Sequence, residues 1–385
     1  MKILMVSIFA PHFFNWTAQL KNSGHEVYWM DVFDSNTYVR KIDFAEQIIG
    51  WRYKWDFKGR YFLKENYPKV TNIINKWNER IFEKEFEKQL EKIKPDVVHS
   101  FVMYLSVARI KNVMQKYSSV NWIYSSWGSD LYYYQHIQAE REIMRNAFPN
   151  INYMFADCKR DHEIARSYGF RGEFLGVFPG GGGLDFEDIN KYTLPLKERN
   201  LVVIKGYQGL HGKCIEVLKA LIFLKEFLNS YQIIVFGAGE EVIDFTQNSE
   251  IAKWENITVK RSIGRDQVLK LMGSAKIYIG NSSSDGMPNT LLEAICMGAF
   301  PVQSNPGGAT SEIITDNLNG LLIEEPENIQ YIKNLLMTLF VEEIDFEKSF
   351  NYNLNQIKPS LEKYHVQSKV IEKYNWVENQ INSQV

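Results

Sequence analysis

Short apolar runs recur along the whole chain with helix-like stretches between them, and no other feature narrows the fold as much. In the first half they fall at residues 3–8, 26–29, 97–100, 122–125, 153–156 and 172–178. In the second half they fall at 201–205, 232–236, 257–260, 277–280, 300–302 and 321–323. Runs this short and this uniformly apolar read as strands buried on both faces, and the stretches between them supply the crossovers that parallel pairing needs. The expected class is α/β with parallel sheets. At 385 residues the chain exceeds the ~250–300 at which one hydrophobic core stops growing, so two domains are expected. The pattern breaks near 180–200, where glycines, Pro195 and a charged run mark a linker. Residues 214–228, 265–272 and 291–297 read as helices of the second half, and 360–381 as a closing helix.

Composition removes several function classes. A net charge of −2 leaves no footprint for nucleic acid. The three cysteines, Cys158, Cys214 and Cys296, lie far apart without metal-ligand spacing. That count argues against a disulfide framework and fits a reducing, cytoplasmic setting. The opening MKILMVSIFAPHFF is broken by Pro11-His12, so it reads as a first buried strand rather than a leader. No apolar run approaches the ~18 residues of a membrane span. Gly237-Ala238-Gly239 follows a strand but lacks the third glycine of a dinucleotide fingerprint. No His, Cys and carboxylate cluster points to a metal, and neither metal nor cofactor is expected.

The chemistry concentrates in residues 281–320, NSSSDGMPNTLLEAICMGAFPVQSNPGGATSEIITDNLNG. Asp285 and Glu293 stand at the two ends of a turn that leads into an apolar helix starting near Asn289 or Thr290. The first turn of a helix carries unpaired N–H groups and the positive end of its dipole, which suits a phosphate. Gly286 permits close approach of backbone to ligand, and a carboxylate at each end can accept from sugar hydroxyls. Residues Gly286, Met287, Pro288, Asn289 and Thr290 are thus candidates to cradle a diphosphate. The same letters also fit a plainer reading: Thr290 to Glu293 has capping-box spacing, and Asp285-Gly286 is a common turn pair. Lys205 ends a strand, and His211 and Lys213 close the loop after it, at the edge where parallel folds bind ligands. Either lysine can offset charge that grows on a leaving phosphate.

The stretch DGMPNTLLEAICMGAFPV resembles the signature of glycosyltransferase family 4, whose usual form is Glu-Gly-Phe-Gly, an apolar run, Glu-Ala, a Gly turn and Pro-Val. Other pieces follow in the family's order: PDVVHS at 95–100, WGSD at 127–130, PGGGGLD at 179–185, VIKG at 203–206 and IIVFGAG at 233–239. The resemblance spans roughly 95–325 and is strongest over 275–325. It implies the GT-B fold: two Rossmann-like domains facing across a cleft, with a last helix crossing back to the first. The expected boundaries are 1–185 for the acceptor-binding domain, 200–360 for the nucleotide-sugar domain and 361–385 for the helix. It also implies retaining transfer from a UDP- or GDP-linked sugar to a glycan or polyprenyl-linked acceptor, in the making of surface polysaccharide. Asp285 would touch the donor sugar and Glu293 the ribose, with Asp285, Lys205 and Lys213 as the candidate catalytic residues. Trp127, Gly128, Asp130 and His12 would form the acceptor side. Two features depart from the family: Trp127 stands where a histidine is usual, and Pro11-His12 replace a glycine-rich loop.

Two alternatives stay open at this point. One is a GT-B nucleotide-sugar epimerase; the other is a non-catalytic nucleotide-sugar or glycan-binding protein. Residues 40–64 add a further expectation. They hold seven Lys or Arg against three acids, with seven aromatics between them, among them Trp51, Tyr53, Trp55, Phe57 and Tyr61. A basic, aromatic segment can lie on an anionic membrane surface, here the inner face; an ordinary region with rings inward and charges solvated has the same composition. Residues 70–94 carry mixed charges and read as one solvated helix.

Overall fold

The computed structural model describes residues 1–56, 59–341 and 344–383. The chain forms two compact units. The first holds Met1–Ala156, His162–Gly181 and the tail from Val370; the second holds Asp157–Asp161 and Gly182–Lys369.

The first unit is built on a parallel sheet of β1 (Lys2–Ser7), β2 (Glu26–Asp31), β3 (Glu46–Ile48), β4 (Val97–Phe101), β5 (Asn121–Ser125), β6 (Tyr153–Ala156) and β7 (Glu173–Val177). Their spatial order is β3-β2-β1-β4-β5-β6-β7. The second unit carries β8 (Leu201–Lys205), β9 (Gln232–Phe236), β10 (Ile257–Val259), β11 (Ala275–Gly280), β12 (Phe300–Ser304) and β13 (Leu321–Ile323), in the order β10-β9-β8-β11-β12-β13. Both sheets start in the middle and reverse direction beside the first strand. That is the Rossmann-like arrangement, whose ligand crevice lies at the carboxyl ends of the strands flanking the reversal. The crevice falls between β1 and β4 in one unit and between β8 and β11 in the other.

The period of two along each strand explains why both faces are covered. On β8, Val202 and Ile204 enter one apolar cluster, with Val217, Leu221 and Ile332. Leu201 and Val203 enter the other, with Leu291, Ile295 and Leu269. In β1, Leu4 and Val6 join a cluster with Phe86, Val107 and Ile110. The opposite face of the first sheet is aromatic: Phe13, Trp16, Trp29, Phe101 and Phe155 meet ring to ring. His99 on β4 belongs to that face. It is fully buried, with Nδ1 2.7 Å from the Tyr374 hydroxyl and Nε2 2.7 Å from Ser125 Oγ. Trp16 Nε1 donates to the same tyrosine oxygen at 3.1 Å. Burial holds the imidazole well below its ordinary pKa, so it is neutral. Tyr374 lies on the closing helix, Lys363–Ser383, in the part grouped with the first unit.

Residues 40–94 differ from expectation. Residues 40–64 contain the edge strand β3, which sequence reasoning overlooked because Ile48 is the one apolar residue of its three. Trp51 is core, as the plainer reading with rings inward has it, its indole donating to the Asp31 carbonyl at 2.8 Å. Phe57 and Lys58 lie outside the described residues. The single helix expected over 70–94 is two, Pro68–Asn78 and Phe82–Ile93. The break has a cause. The Arg80 backbone N–H donates to the Arg52 carbonyl at 2.7 Å, and its guanidinium donates to the carbonyls of Trp51 and Tyr53 at 2.7 and 2.9 Å.

Candidate functional site

In the second unit the chain leaves β11 at Gly280 and reaches the helix Asn289–Cys296 through the Asp285-Gly286 turn. That helix starts where expected, with Pro288 at its cap and no side-chain cap bond. The capping box does not form. The Thr290 hydroxyl lies 2.9 Å from the Tyr278 hydroxyl, and Glu293 turns to Arg265, whose Nη1 donates to Oε1 at 2.7 Å. Glu293 is only 4% exposed. Burial, the larger influence, pushes its carboxyl above the ordinary value, while Arg265 and Lys205 pull it back. A buried carboxylate held by an arginine that is itself largely exposed is an acceptor poised at a surface rather than part of a closed core pair.

Asp285 is more open. Its Oδ1 accepts from the Gly286 N–H at 3.0 Å, and its Oδ2 lies 4.0 Å from Lys205 Nζ. Lys205 ends β8, so β8 and β11 bring opposite charges together at the reversal point. His211 faces the same ground. Burial lowers its imidazole pKa, and the Asp285 charge works against that. Lys213 precedes the helix Cys214–Ile222 and pairs with Glu327 at 2.5 Å. Its N–H donates to the Asn281 carbonyl at 3.0 Å, tying the loop after β8 to the loop after β11.

The amide run Gly286–Thr290 needs correction as a diphosphate cradle. Gly286 N–H is taken by Asp285, and Met287 N–H donates to Asp157 Oδ2 at 3.3 Å. Pro288 has no N–H, and Leu291 and Leu292 N–H both turn back to the Pro288 carbonyl. Of this run, the Thr290 N–H at the helix tip remains as a donor for an anion. Gly286 is required for another reason: a Cβ there would come within 2.1 Å of Asp157 Oδ2.

Sequence reasoning missed the segment Asp157–Asp161, which belongs to this unit. Arg160 is 7% exposed and is held by Asp161 through Nη2 at 2.8 Å and Nε at 3.1 Å. Its Nη1 donates to the carbonyls of Asp285 and Pro306 at 2.9 and 2.5 Å. Glu312 accepts from the Lys159 N–H at 2.7 Å. Arg160 thus clamps the turn that carries Asp285 to the Gly307-Gly308 loop. The signal was an Arg-Asp pair starting four positions past the end of the buried strand β6. The fold also gathers Asp157, Cys158 and Asp161, with ligand atoms within 4.8 Å of one another, a proximity invisible in their spacing. The Arg160 guanidinium already supplies positive charge there, and burial keeps the Cys158 thiol protonated.

In the first unit the residues expected on the acceptor side gather at the carboxyl edge of the sheet. Trp127 follows β5 and His12 opens the helix Pro11–Ala18; their rings lie 6.0 Å apart, and Phe101 is 6.0 Å from the Trp127 ring. Gly128 turns the chain at φ 75°. Asp130 is not available to orient a ligand hydroxyl. It is buried, with Oδ1 accepting from Trp127 N–H at 2.8 Å and Oδ2 accepting from Met103 N–H and the Tyr124 hydroxyl at 2.8 and 2.6 Å. Its role is to hold the Trp127 turn.

Comparison with known proteins bears on the fold and on the second unit. Residues 186–356 match the family model described as glycosyl transferases group 1, and the match lies within the second unit. A curated relative from Campylobacter jejuni subsp. jejuni serotype O:2 is 25% identical over 187 residues, 48% of this chain and 50% of the relative. It is named GalNAc-alpha-(1->4)-GalNAc-alpha-(1->3)-diNAcBac-PP-undecaprenol alpha-1,4-N-acetyl-D-galactosaminyltransferase; the match thus spans about half its length. Among solved structures, a sucrose-phosphate synthase from Thermosynechococcus elongatus superposes with TM-score 0.71 at 13% identity, covering 100% of both chains. Anabaena HepE, solved with UDP and glucose, gives 0.64 at 12% over 97% of this chain and 99% of that one. The lipopolysaccharide outer core galactosyltransferase WaaB gives 0.66 at 14% over 97% and 99%. At these identities the structures establish the fold, which is GT-B.

Proposed function

We propose that this protein is a retaining glycosyltransferase of the family 4 kind. It would move a sugar from a UDP- or GDP-linked donor to a glycan or lipid-linked acceptor in surface polysaccharide synthesis. The observation that carries this reading is the charged cluster at the β8–β11 reversal. Lys205, Asp285 and the Arg265-held Glu293 surround the tip of the helix Asn289–Cys296, with His211 and Lys213 on the adjoining loop. The family match over 186–356 supports it, as do relatives whose names include an undecaprenol-linked acceptor, UDP and glucose.

The chemistry follows from the residues. The helix tip and Lys205 receive the diphosphate, Glu293 accepts from ribose hydroxyls, and Asp285 accepts from the sugar. Lys213, now paired with Glu327, turns to the phosphate as the donor arrives. The bond between the anomeric carbon and the phosphate oxygen breaks as the acceptor oxygen bonds to that carbon on the same face. The nucleoside diphosphate leaves with the electron pair, and its oxygen takes the acceptor's proton. Stabilising that leaving group is the main catalytic task, and it falls to fixed positive groups. No metal is needed in this scheme. The enzyme would work in the cytoplasm, peripherally on a membrane that carries its acceptor; among the described residues no helix is long and apolar enough to cross one.

A panel of nucleotide sugars scored by thermal stabilisation tests the binding half, since a ligand bound only by the folded state raises Tm. Proton NMR of the product's anomeric centre tests the retaining half. A chain that no nucleotide sugar stabilises, or a product of inverted configuration, defeats the respective part.

A further inference from the structure

An amphipathic helix in a globular protein ordinarily turns its apolar stripe inward. The helix Pro68–Asn78 does the reverse. Its buried residues are the polar Thr71 and Asn78, and Asn78 is pinned by exchanging two hydrogen bonds with the Trp55 backbone at 2.9 and 2.8 Å. Val70, Ile73 and Trp77, at i, i+3 and i+7, form a stripe facing solvent, with Ile73 62% and Trp77 73% exposed. Phe62, on the preceding helix Arg60–Asn66, and Tyr67 extend it, their rings 6.4 Å apart and both open to solvent. Large apolar side chains gathered this way mark a surface that something covers.

The charge around the stripe identifies the partner. Lys69 and Lys76 run along its flank, seven residues apart, and Lys64 stands on the preceding helix; all three are exposed. Across 59–78 the only acid is Glu65. A row of rings and branched aliphatics bordered by lysines, with almost no opposing charge, has the composition of a helix lying in the interface of an anionic bilayer.

We propose that the face made by Phe62, Tyr67, Val70, Ile73 and Trp77, with Lys64, Lys69 and Lys76 at its border, seats this protein on an anionic lipid bilayer. The proposal rests on the peripheral placement suggested above and names its surface. It keeps Phe62 and Lys64 from the segment 40–64, whose Trp51 is core, and adds Tyr67 and the helix Pro68–Asn78. The full-length protein is sedimented with vesicles of phosphatidylcholine alone or of phosphatidylcholine with phosphatidylglycerol. Wild type is expected to pellet with the anionic vesicles, less so at 0.5 M salt, and to stay in solution with the neutral ones. Ile73→Glu with Trp77→Glu should weaken binding at least tenfold, and Lys69→Glu with Lys76→Glu by a similar factor. Phe223→Glu, equally exposed on the second unit, should change nothing. Thermal stabilisation by a donor nucleotide sugar confirms that each variant is folded. Wild type that stays in solution with anionic vesicles overturns both the surface and the peripheral placement. A Glu double variant that binds like wild type overturns the surface alone. A wild-type dimer that the same variant splits, without vesicles present, assigns the face to a second copy and also overturns the proposal.

Discussion

The two sheets share one strand order, yet the chemistry at their reversal points is opposite in kind. Beside β1 and β4 the edge is built of rings: Trp127, His12 and Phe101, over a buried network of His99, Tyr374 and Ser125. Beside β8 and β11 the edge is built of charges: Lys205 against Asp285, and Arg265 against Glu293. A shared topology therefore fixes where a ligand goes and leaves open what it is. The charged edge suits a diphosphate and ribose. The ring edge suits the flatter, less polar faces of a sugar or glycan.

If that division is right, the largest effect comes from Lys205→Ala. Removing one fixed positive group from a leaving phosphate costs on the order of 10²–10³ in kcat, as for other preorganised donors. Lys205 is partly exposed and its pair with Asp285 is loose, so stability should barely change. Initial-rate kinetics with saturating donor would show it. A variant that keeps wild-type kcat would place the leaving group elsewhere.

Glu293→Gln comes next. The amide is nearly isosteric, but the charge that Arg265 holds is gone, and a charge-assisted bond to a ribose hydroxyl becomes a neutral one. Donor affinity should fall about tenfold, or ~1.4 kcal/mol. Calorimetry with the nucleoside diphosphate alone isolates this from the sugar. An unchanged Kd would reduce Glu293 to an anchor for Arg265.

The halves should also answer pH in opposite senses. His99 has a depressed pKa in the folded state, so its contribution to stability is present above the ordinary value of 6.5 and lost as pH falls below it. Wild type should lose ground to His99→Gln below that value, by at most about 1.4 kcal/mol per pH unit for one proton. Glu293 has a raised pKa, so its contribution is full below the ordinary 4.5 and lost as pH rises through the shifted value. Glu293→Gln should therefore gain on wild type over that window. Urea unfolding of the three proteins between pH 4 and 8 reads both slopes. Parallel curves for His99→Gln and wild type would mean that the buried imidazole is not neutral.

How much of this was legible beforehand differs between strands and side chains. Central strands such as β1, β8 and β11 announce themselves because both faces are buried and the run is apolar throughout. β3 did not, because an edge strand of three residues needs no such run. The Asp285–Glu293 junction was readable as a motif, but its partners were not. Arg265 is 28 positions from Glu293, and Arg160 is 125 from Asp285. Thr290 and Glu293 have capping-box spacing and bond elsewhere, because Tyr278 and Arg265 offer them buried or charged partners. Periodicity also could not tell the inverted helix Pro68–Asn78 from Phe82–Ile93, which buries Phe82, Phe86, Leu90 and Ile93. Spacing gives the stripe, and only packing gives its direction.

Trp127→Ala should have the smallest effect, and it tests the ring edge most cleanly. The turn is fixed by backbone bonds to Asp130, which truncation of the indole leaves in place. What disappears is a half-buried ring beside His12 and Phe101. A sugar face stacked on that ring would lose about 1 kcal/mol, a several-fold rise in acceptor KM. Donor Kd and the rate of donor hydrolysis without acceptor should stay at wild-type values, because no charge near Lys205 or Glu293 has changed. A loss of donor affinity in this variant would mean that the rings also serve the donor, and the division between a charged edge and an aromatic edge would not hold.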